Sequence, residues 1–218
     1  DIIEIAKEKP KTIFGFKTAR TPSREIVTVK DLVIGYDEPL TRPLNFSIER
    51  NQKIAIKGVN GLGKSTLLNT ILGKIKPISG EIEHGQFLSI GYFKQEEEST
   101  STPALNEFWN EFPGLTNAEA RAALARCGLT NNHITSQMKV LSGGENAKVR
   151  LAKIMNREIN FLVLDEPTNH LDIDAKEELK RAIKEFAGTV LIVSHEPDFY
   201  LEVATEVWNV EDWTTKII

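Results

Sequence analysis

The run Gly58-Val59-Asn60-Gly61-Leu62-Gly63-Lys64-Ser65-Thr66 constrains this chain more than any other segment. Its glycines let successive backbone N–H groups curl inward, a shape that side chains with a Cβ resist. An apolar β-branched run at residues 54–56 precedes it, and a helical pattern over residues 64–72 follows and ends near Gly73. Strand, glycine loop and helix in that order form the context in which such a loop cradles phosphates at a helix N-terminus. In such a cradle Gly58, Asn60, Gly61, Gly63 and Thr66 surround the phosphates, Lys64 bridges β- and γ-oxygens, and Ser65 can ligate Mg²⁺. Without a ligand the same glycines would be only a turn that caps a helix.

Short β-branched runs at residues 26–29, 44–48 and 54–56 read as strands separated by turn residues, and further strands are expected at 81–83 and 87–93. Residues 102–139 change character: 118–127 are strongly helical and no strand is evident, so a small helical lobe is expected there. Apolar runs then return at 161–164 and 189–193. They do not alternate, as expected of strands covered on both faces, and a helical pattern over 175–186 lies between them. This βαβ order argues an α/β core.

With 218 residues, 40% of them hydrophobic and 27% charged, the chain can bury a substantial core. Its net charge of −4 makes the whole molecule a poor electrostatic partner for nucleic acid, so any RNA contact must be local. A single cysteine, Cys127, excludes an intramolecular disulfide and a cysteine-built zinc site, reads as a small buried hydrophobe, and suggests a reducing, cytoplasmic setting. No stretch approaches the roughly 20 apolar residues of a membrane-spanning helix, so no membrane insertion is expected. The chain starts with Asp1 and reads as a piece of something larger.

Two further segments carry chemistry. The apolar run Phe161-Leu162-Val163-Leu164 ends in Asp165-Glu166, at the carboxyl end of a buried strand, where α/β sheets collect ligands. Asp165 is the candidate Mg²⁺ carboxylate there, and Glu166 the general base that takes a proton from the attacking water. Leu141-Ser142-Gly143-Gly144-Glu145 offers a capping serine before a helix, with glycines and a helix dipole facing outward as a second anion-binding surface.

Together these segments resemble the ATP-binding cassette family, whose signature reads Leu-Ser-Gly-Gly at this place. The resemblance covers nearly all of residues 26–210. It implies an α/β fold: a phosphate-loop NTPase core with mixed sheet, an antiparallel β subdomain and a small helical lobe at about residues 99–156. It implies ATP and Mg²⁺ as ligands and ATP hydrolysis as the activity, with Lys64, Glu166 and His195 as catalytic residues. Tyr36 matches the aromatic that stacks on adenine. Gln95 matches the glutamine that senses Mg²⁺ and the γ-phosphate, and His195 the switch histidine on the γ-phosphate. Asp172, after Leu171, matches the loop that communicates across a dimer. In this family the phosphate loop of one cassette meets the signature of another. One copy of each motif therefore implies a sister cassette on the same full-length chain, or a homodimer of the isolated one.

Asp165-Glu166-Pro167-Thr168-Asn169-His170-Leu171-Asp172 resembles the version of this segment in the ABC-F class, whose members carry two cassettes on one soluble chain and act on ribosomes. Transporter cassettes more often have a serine and a small residue where Asn169 and His170 stand. Residues 1–24, with six basic and three acidic side chains and two prolines, resemble the end of the linker between ABC-F cassettes, which leaves 25–218 as the cassette itself. An unimportant extension is the other reading of residues 1–24. The implied partners are then the sister cassette, the ribosome and ribosomal or transfer RNA, in translation or antibiotic resistance. The competing expectation is the ATPase subunit of a membrane transporter. A clamp that binds nucleotide without turnover is disfavoured by the presence of Lys64, Asp165, Glu166 and His195 together.

Overall fold

The computed structural model describes residues 10–94 and 98–215. The first half runs β1 (Lys17–Thr18), β2 (Glu25–Val33), β3 (Leu44–Glu49), β4 (Lys53–Lys57), α1 (Lys64–Ile71), β5 (Ser79–His84) and β6 (Ile90–Phe93). Four helices follow: α2 (Ala104–Trp109), α3 (Asn117–Arg126), α4 (Asn131–Thr135) and α5 (Gly143–Met155). The chain ends with β7 (Glu158–Ile159), β8 (Phe161–Asp165), α6 (Ile173–Glu185), β9 (Thr189–Val193), α7 (Pro197–Val203) and β10 (Glu206–Asn209).

Five strands form a parallel sheet in the order β10-β4-β9-β8-β6, and β3-β2-β5 form a separate antiparallel sheet. Successive side chains on a strand point to opposite faces. Along β8, Leu162 and Leu164 enter one hydrophobic cluster, shared with α5, α6 and the helical lobe. Phe161 and Val163 enter a second cluster, shared with α1 and the antiparallel sheet. Both faces of β8 and β9 are buried throughout, which is why their sequences do not alternate. Asp165 has the parity of Phe161 and Val163, so its carboxylate emerges on the α1 side, where Ser65 lies in the first turn of the helix.

The sheets differ from the sequence expectation at residue 87. A strand over 87–93 was expected, but pairing begins only at Ile90. Phe87 has φ 61° and turns the chain; its carbonyl accepts a 2.7 Å hydrogen bond from the buried Asn160 amide. The same amide binds the Arg20 carbonyl at 2.8 Å, and Asn160 Oδ1 accepts from Ser89 N–H at 2.8 Å. A tertiary contact that no local pattern announces thus replaces the first residues of the strand.

In the lobe, α3, α4 and α5 each start with a capping box, from Thr116 with Glu119, Thr130 with His133, and Ser142 with Glu145. Residues 13–18 pack onto the body of the molecule. Phe14 is 1% exposed. Its N–H donates to Glu178 and its carbonyl accepts from Arg181, both on α6, while Ile13 N–H donates to the Arg126 carbonyl at the end of α3. Lys17 and Thr18 then pair in parallel with Glu158 and Ile159. This strap touches both the lobe and the core.

Truncating a buried phenylalanine removes its transfer energy and leaves a cavity. Phe14→Ala should therefore destabilise the chain by about 3 to 5 kcal/mol. Urea denaturation checks this: a midpoint equal to that of the parent would show that the strap contributes nothing to the core.

Candidate nucleotide-binding site

Strand β4 delivers the glycine loop at its carboxyl end and α1 starts at Lys64. Gly61 and Gly63 have φ of 84° and 95°, left-handed values that cost a residue with a Cβ about 1 to 2 kcal/mol. Gly63 is the N-cap of α1 and no side chain caps that end, so its first N–H groups face the loop. The Lys64 ammonium donates to the carbonyls of Gly58 at 2.6 Å and Val59 at 3.0 Å, and to Asn60 Oδ1 at 3.4 Å. Burial holds its pKa below the usual lysine range, opposed by the charges of Glu166, Asp165 and Glu211.

A cleft of about 560 Å³ is lined by Tyr36, Asn60, Gly61, Gly63, Lys64, Ser65, Thr66, Asp165 and Glu166, together with Leu40 and Val193. Tyr36 is 68% exposed at its mouth, so its ring is open to a stacking partner. Gln95 lies outside the described residues. The structure thus brings most of the predicted nucleotide residues together. Gly58 and His195 border an adjoining cleft with Lys57, Val59 and Glu211.

Asp165 is 2% exposed. Burial raises its pKa, the Ser65 hydroxyl hydrogen bond opposes that rise, the Glu166 charge adds to it, and the Lys64 charge opposes it. Its Oδ1 is buried with no hydrogen-bond partner. A buried carboxylate oxygen without a donor is costly unless a cation completes it. Beside the Ser65 hydroxyl it fits a divalent ion that draws its other ligands from phosphate and water. Among the described residues no group of three His, Cys, Asp or Glu side chains could hold a metal without such help.

Glu166 is buried with φ 49°, a left-handed strain that the Glu166 N–H to Val193 carbonyl bond of 2.9 Å helps to hold. Its Oε2 lies 2.7 Å from His195 Nδ1, which leaves Oε1 as the oxygen available to a water. With Glu166 ionised, this Nδ1 must carry the proton. The pairing of Glu166 and His195 is direct, although the two are 29 residues apart.

Sequence reasoning missed the residues that support this pair. Glu196 accepts from Thr168 Oγ1 at 2.8 Å and from Lys176 Nζ at 2.8 and 3.0 Å. Burial acts to raise the Glu196 pKa, but the Lys176 and Thr168 hydrogen bonds outweigh it and hold the carboxyl low. Its stabilising contribution is therefore complete above the ordinary glutamate range and is lost as pH falls through the lowered value. Adjacency to His195 was the only signal for Glu196 in the sequence.

The signature residues occupy a different place. Ser142 caps α5: its Oγ accepts from Glu145 N–H at 3.3 Å while Glu145 Oε2 accepts from Ser142 N–H at 2.8 Å. His133 Nδ1 accepts from Thr130 N–H, so its Nε2 carries the proton and donates to Glu145 Oε1 at 3.2 Å. Leu141 is buried beneath the turn. Ser142, Gly144, Glu145 and Asp172 line a separate cleft of about 900 Å³, and none of residues 141–145 lines the cleft of Lys64. The glycines are not bare on every side, since His170 packs against both. Asp172 caps α6 through Ala175 N–H and pairs with Lys148 at 3.5 Å.

A parallel sheet with a phosphate loop against a strand-end carboxylate, plus a signature turn on a helical lobe, defines a phosphate-loop ATPase of cassette type. The family model described as ABC transporter matches residues 41–169, more than half of the chain. The chain belongs to this family, whose members are ATPases. It is 60% identical over its whole length to the uncharacterised ABC transporter ATP-binding protein YfmM of Bacillus subtilis, of which it covers 42%. It is 37% identical over 97% of its length to ABC transporter F family member 5 of Arabidopsis thaliana, covering 31% of that protein. The chain thus spans less than half the length of these curated relatives. A solved ATP-binding cassette, dimeric in a post-hydrolysis state with ADP and Pi, shares the fold with a TM-score of 0.72 at 22% identity, over 84% of this chain and 94% of that one.

Glu166→Gln preserves shape but cannot accept the water's proton. It should lower kcat by about 10²- to 10⁴-fold while leaving ATP affinity within about twofold. Lys64→Ala removes charge-assisted hydrogen bonds and should weaken ATP binding about tenfold or more. Titration calorimetry and steady-state ATPase assays separate the two; undiminished turnover in Glu166→Gln would move the base to His195.

Proposed function

We propose that this chain is the C-terminal ATP-binding and ATP-hydrolysing cassette of an ABC-F protein, with residues 1–24 as the end of the inter-cassette linker. ATP-dependent pairing with a sister cassette would let the full-length protein act on the ribosome. The observation that carries the pairing is the separation of the two half-sites. Lys64, Ser65, Asp165 and Glu166 share one cleft, while Ser142 and Gly144 line another. Two chains, or two cassettes of one chain, related by a two-fold axis would complete two equivalent sites. Asn169-His170 and the Arabidopsis F family relative support the ABC-F class over a transporter subunit. Among the described residues no helix is long and apolar enough to cross a membrane.

In this reading Tyr36 stacks on adenine, the loop N–H groups and Lys64 hold the β- and γ-phosphates, and Gln95 senses the γ-phosphate. Ser65 and Asp165, with Gln95, would hold Mg²⁺, which neutralises phosphate charge when bound. Glu166 Oε1 takes a proton from the water that attacks the γ-phosphorus, and ADP leaves with the cleaved oxygen. His195, which borders the adjoining cleft with Gly58, would keep the Glu166 carboxylate aimed and hold the γ-phosphate. The partner's Ser142 turn closes the site with its helix N-terminus.

Because pairing of isolated chains is bimolecular, ATPase activity per molecule should rise with protein concentration. Ser142→Arg should suppress that rise by placing bulk and a cation against the partner's nucleotide. A flat rate per molecule that Ser142→Arg leaves unchanged would mean that each monomer completes its own site. The full-length protein carrying Glu166→Gln should co-sediment with ribosomes in ATP and not in ADP. Association with a membrane fraction instead would favour the transporter reading.

A further inference from the structure

His170 takes no part in the chemistry above, yet it is what the signature glycines pack against. A methyl group added to Gly143 would fall 2.8 Å from Cγ and 2.9 Å from Nδ1 of the His170 ring. One added to Gly144 would fall 2.5 Å from the His170 carbonyl oxygen. Cβ atoms do not approach other atoms so closely, so a side chain at either position would force His170 to shift inside a single chain, before any nucleotide is considered. The N-terminal turn of α5 therefore rests directly on residues 166–172.

That segment is stiff and tied at both ends. Thr168 is fully buried, and the Leu171 N–H closes a turn onto the Thr168 carbonyl at 3.1 Å. At its start Glu166 holds His195, and Thr168 holds Glu196. At its end Asp172 caps α6 and pairs with Lys148, one turn beyond Gly144 on α5. A shift of the α5 N-terminus cannot be absorbed at Gly143 or Gly144 without moving His170, because the interface is already at contact distance.

We propose that His170 is a positioning residue, its ring set against Gly143 and its carbonyl against Gly144 so that the Ser142 turn and the Glu166 segment of one chain move together. Resting on the paired-site reading, this puts the surface that meets a partner's nucleotide in register with the chain's own hydrolytic carboxylate. The contact is one of shape. The ring atoms nearest Gly143 are Cγ and Nδ1, close to the side chain's root, so a planar ring of similar size preserves it without any hydrogen bond from the far nitrogen.

His170→Ala should lower kcat about tenfold and leave KM, ATP affinity and melting temperature nearly unchanged, and His170→Phe should restore kcat to within about threefold. Gly143→Ala should lose less activity in the His170→Ala background than alone, because the two closest ring atoms are gone and only the 3.2 Å approach to the Cβ of residue 170 remains. The inference is overturned if His170→Ala turns over ATP at the parent rate. It is equally overturned if kcat, affinity and melting temperature fall together without rescue by phenylalanine, or if the two substitutions are additive. Should the alanine variant fail to fold, His170→Phe decides alone: near-parent kcat supports the wedge, and a tenfold loss refutes it. Lys64→Ala and Ser142→Arg are measured alongside. If they abolish turnover while His170→Ala does not, only the wedge fails; if Ser142→Arg has no effect, the paired site itself fails.

Discussion

Phe161–Asp165 runs between two hydrophobic clusters, with Leu162 and Leu164 in one and Phe161 and Val163 in the other. Neither face of this strand can accept a polar side chain without leaving it unsatisfied in the interior. Polarity therefore begins where the strand ends, and it begins with Asp165. Strand parity turns that carboxylate towards α1, and the sheet register sets β8 beside β9, whose end leads to His195. The placement of Asp165 and Glu166 beside His195 is a consequence of this doubly covered strand more than of any local motif.

Packing also sets the cost of the site. Lys64, Asp165 and Glu166 are all buried, and a charge taken out of water must be compensated by partners or by a shifted pKa. Here the lysine is pushed down and the aspartate up, both by burial, while one aspartate oxygen is left without a donor. Glu166 adds a left-handed backbone. Each is a local destabilisation that the surrounding core must hold in place, the usual condition of residues poised to bind a highly charged ligand.

The segment from Glu166 to Asp172 connects parts of the molecule that would otherwise be mechanically separate. Glu166 and Thr168 reach the residues after β9, His170 abuts α5, and Asp172 starts α6. The helical lobe is anchored independently by the strap around Phe14, which meets both α3 and α6. The lobe thus touches the core at the Ser142 turn on one side and at the strap on the other.

The residues that line the Lys64 cleft were legible because they combine particular backbone and side-chain types in short stretches. Glycines at Gly61 and Gly63 permit left-handed turns, Lys64 and Ser65 follow at once, and an unalternating run ends in Asp165-Glu166. The helix cap at Ser142 and the buried strands β8 and β9 were readable for the same reason, since their causes lie within a few residues. What the sequence alone could not settle depended on residues far apart. Asn160 reaches Phe87 and shortens β6, Phe14 is buried by helices more than a hundred residues away, and β10 gains its identity by pairing with β4. The Glu166–His195 bond, the Glu196 support and the fit of His170 against Gly143 likewise needed the folded chain. A local pattern encodes propensity and periodicity, but which surfaces meet is decided by the burial of the whole.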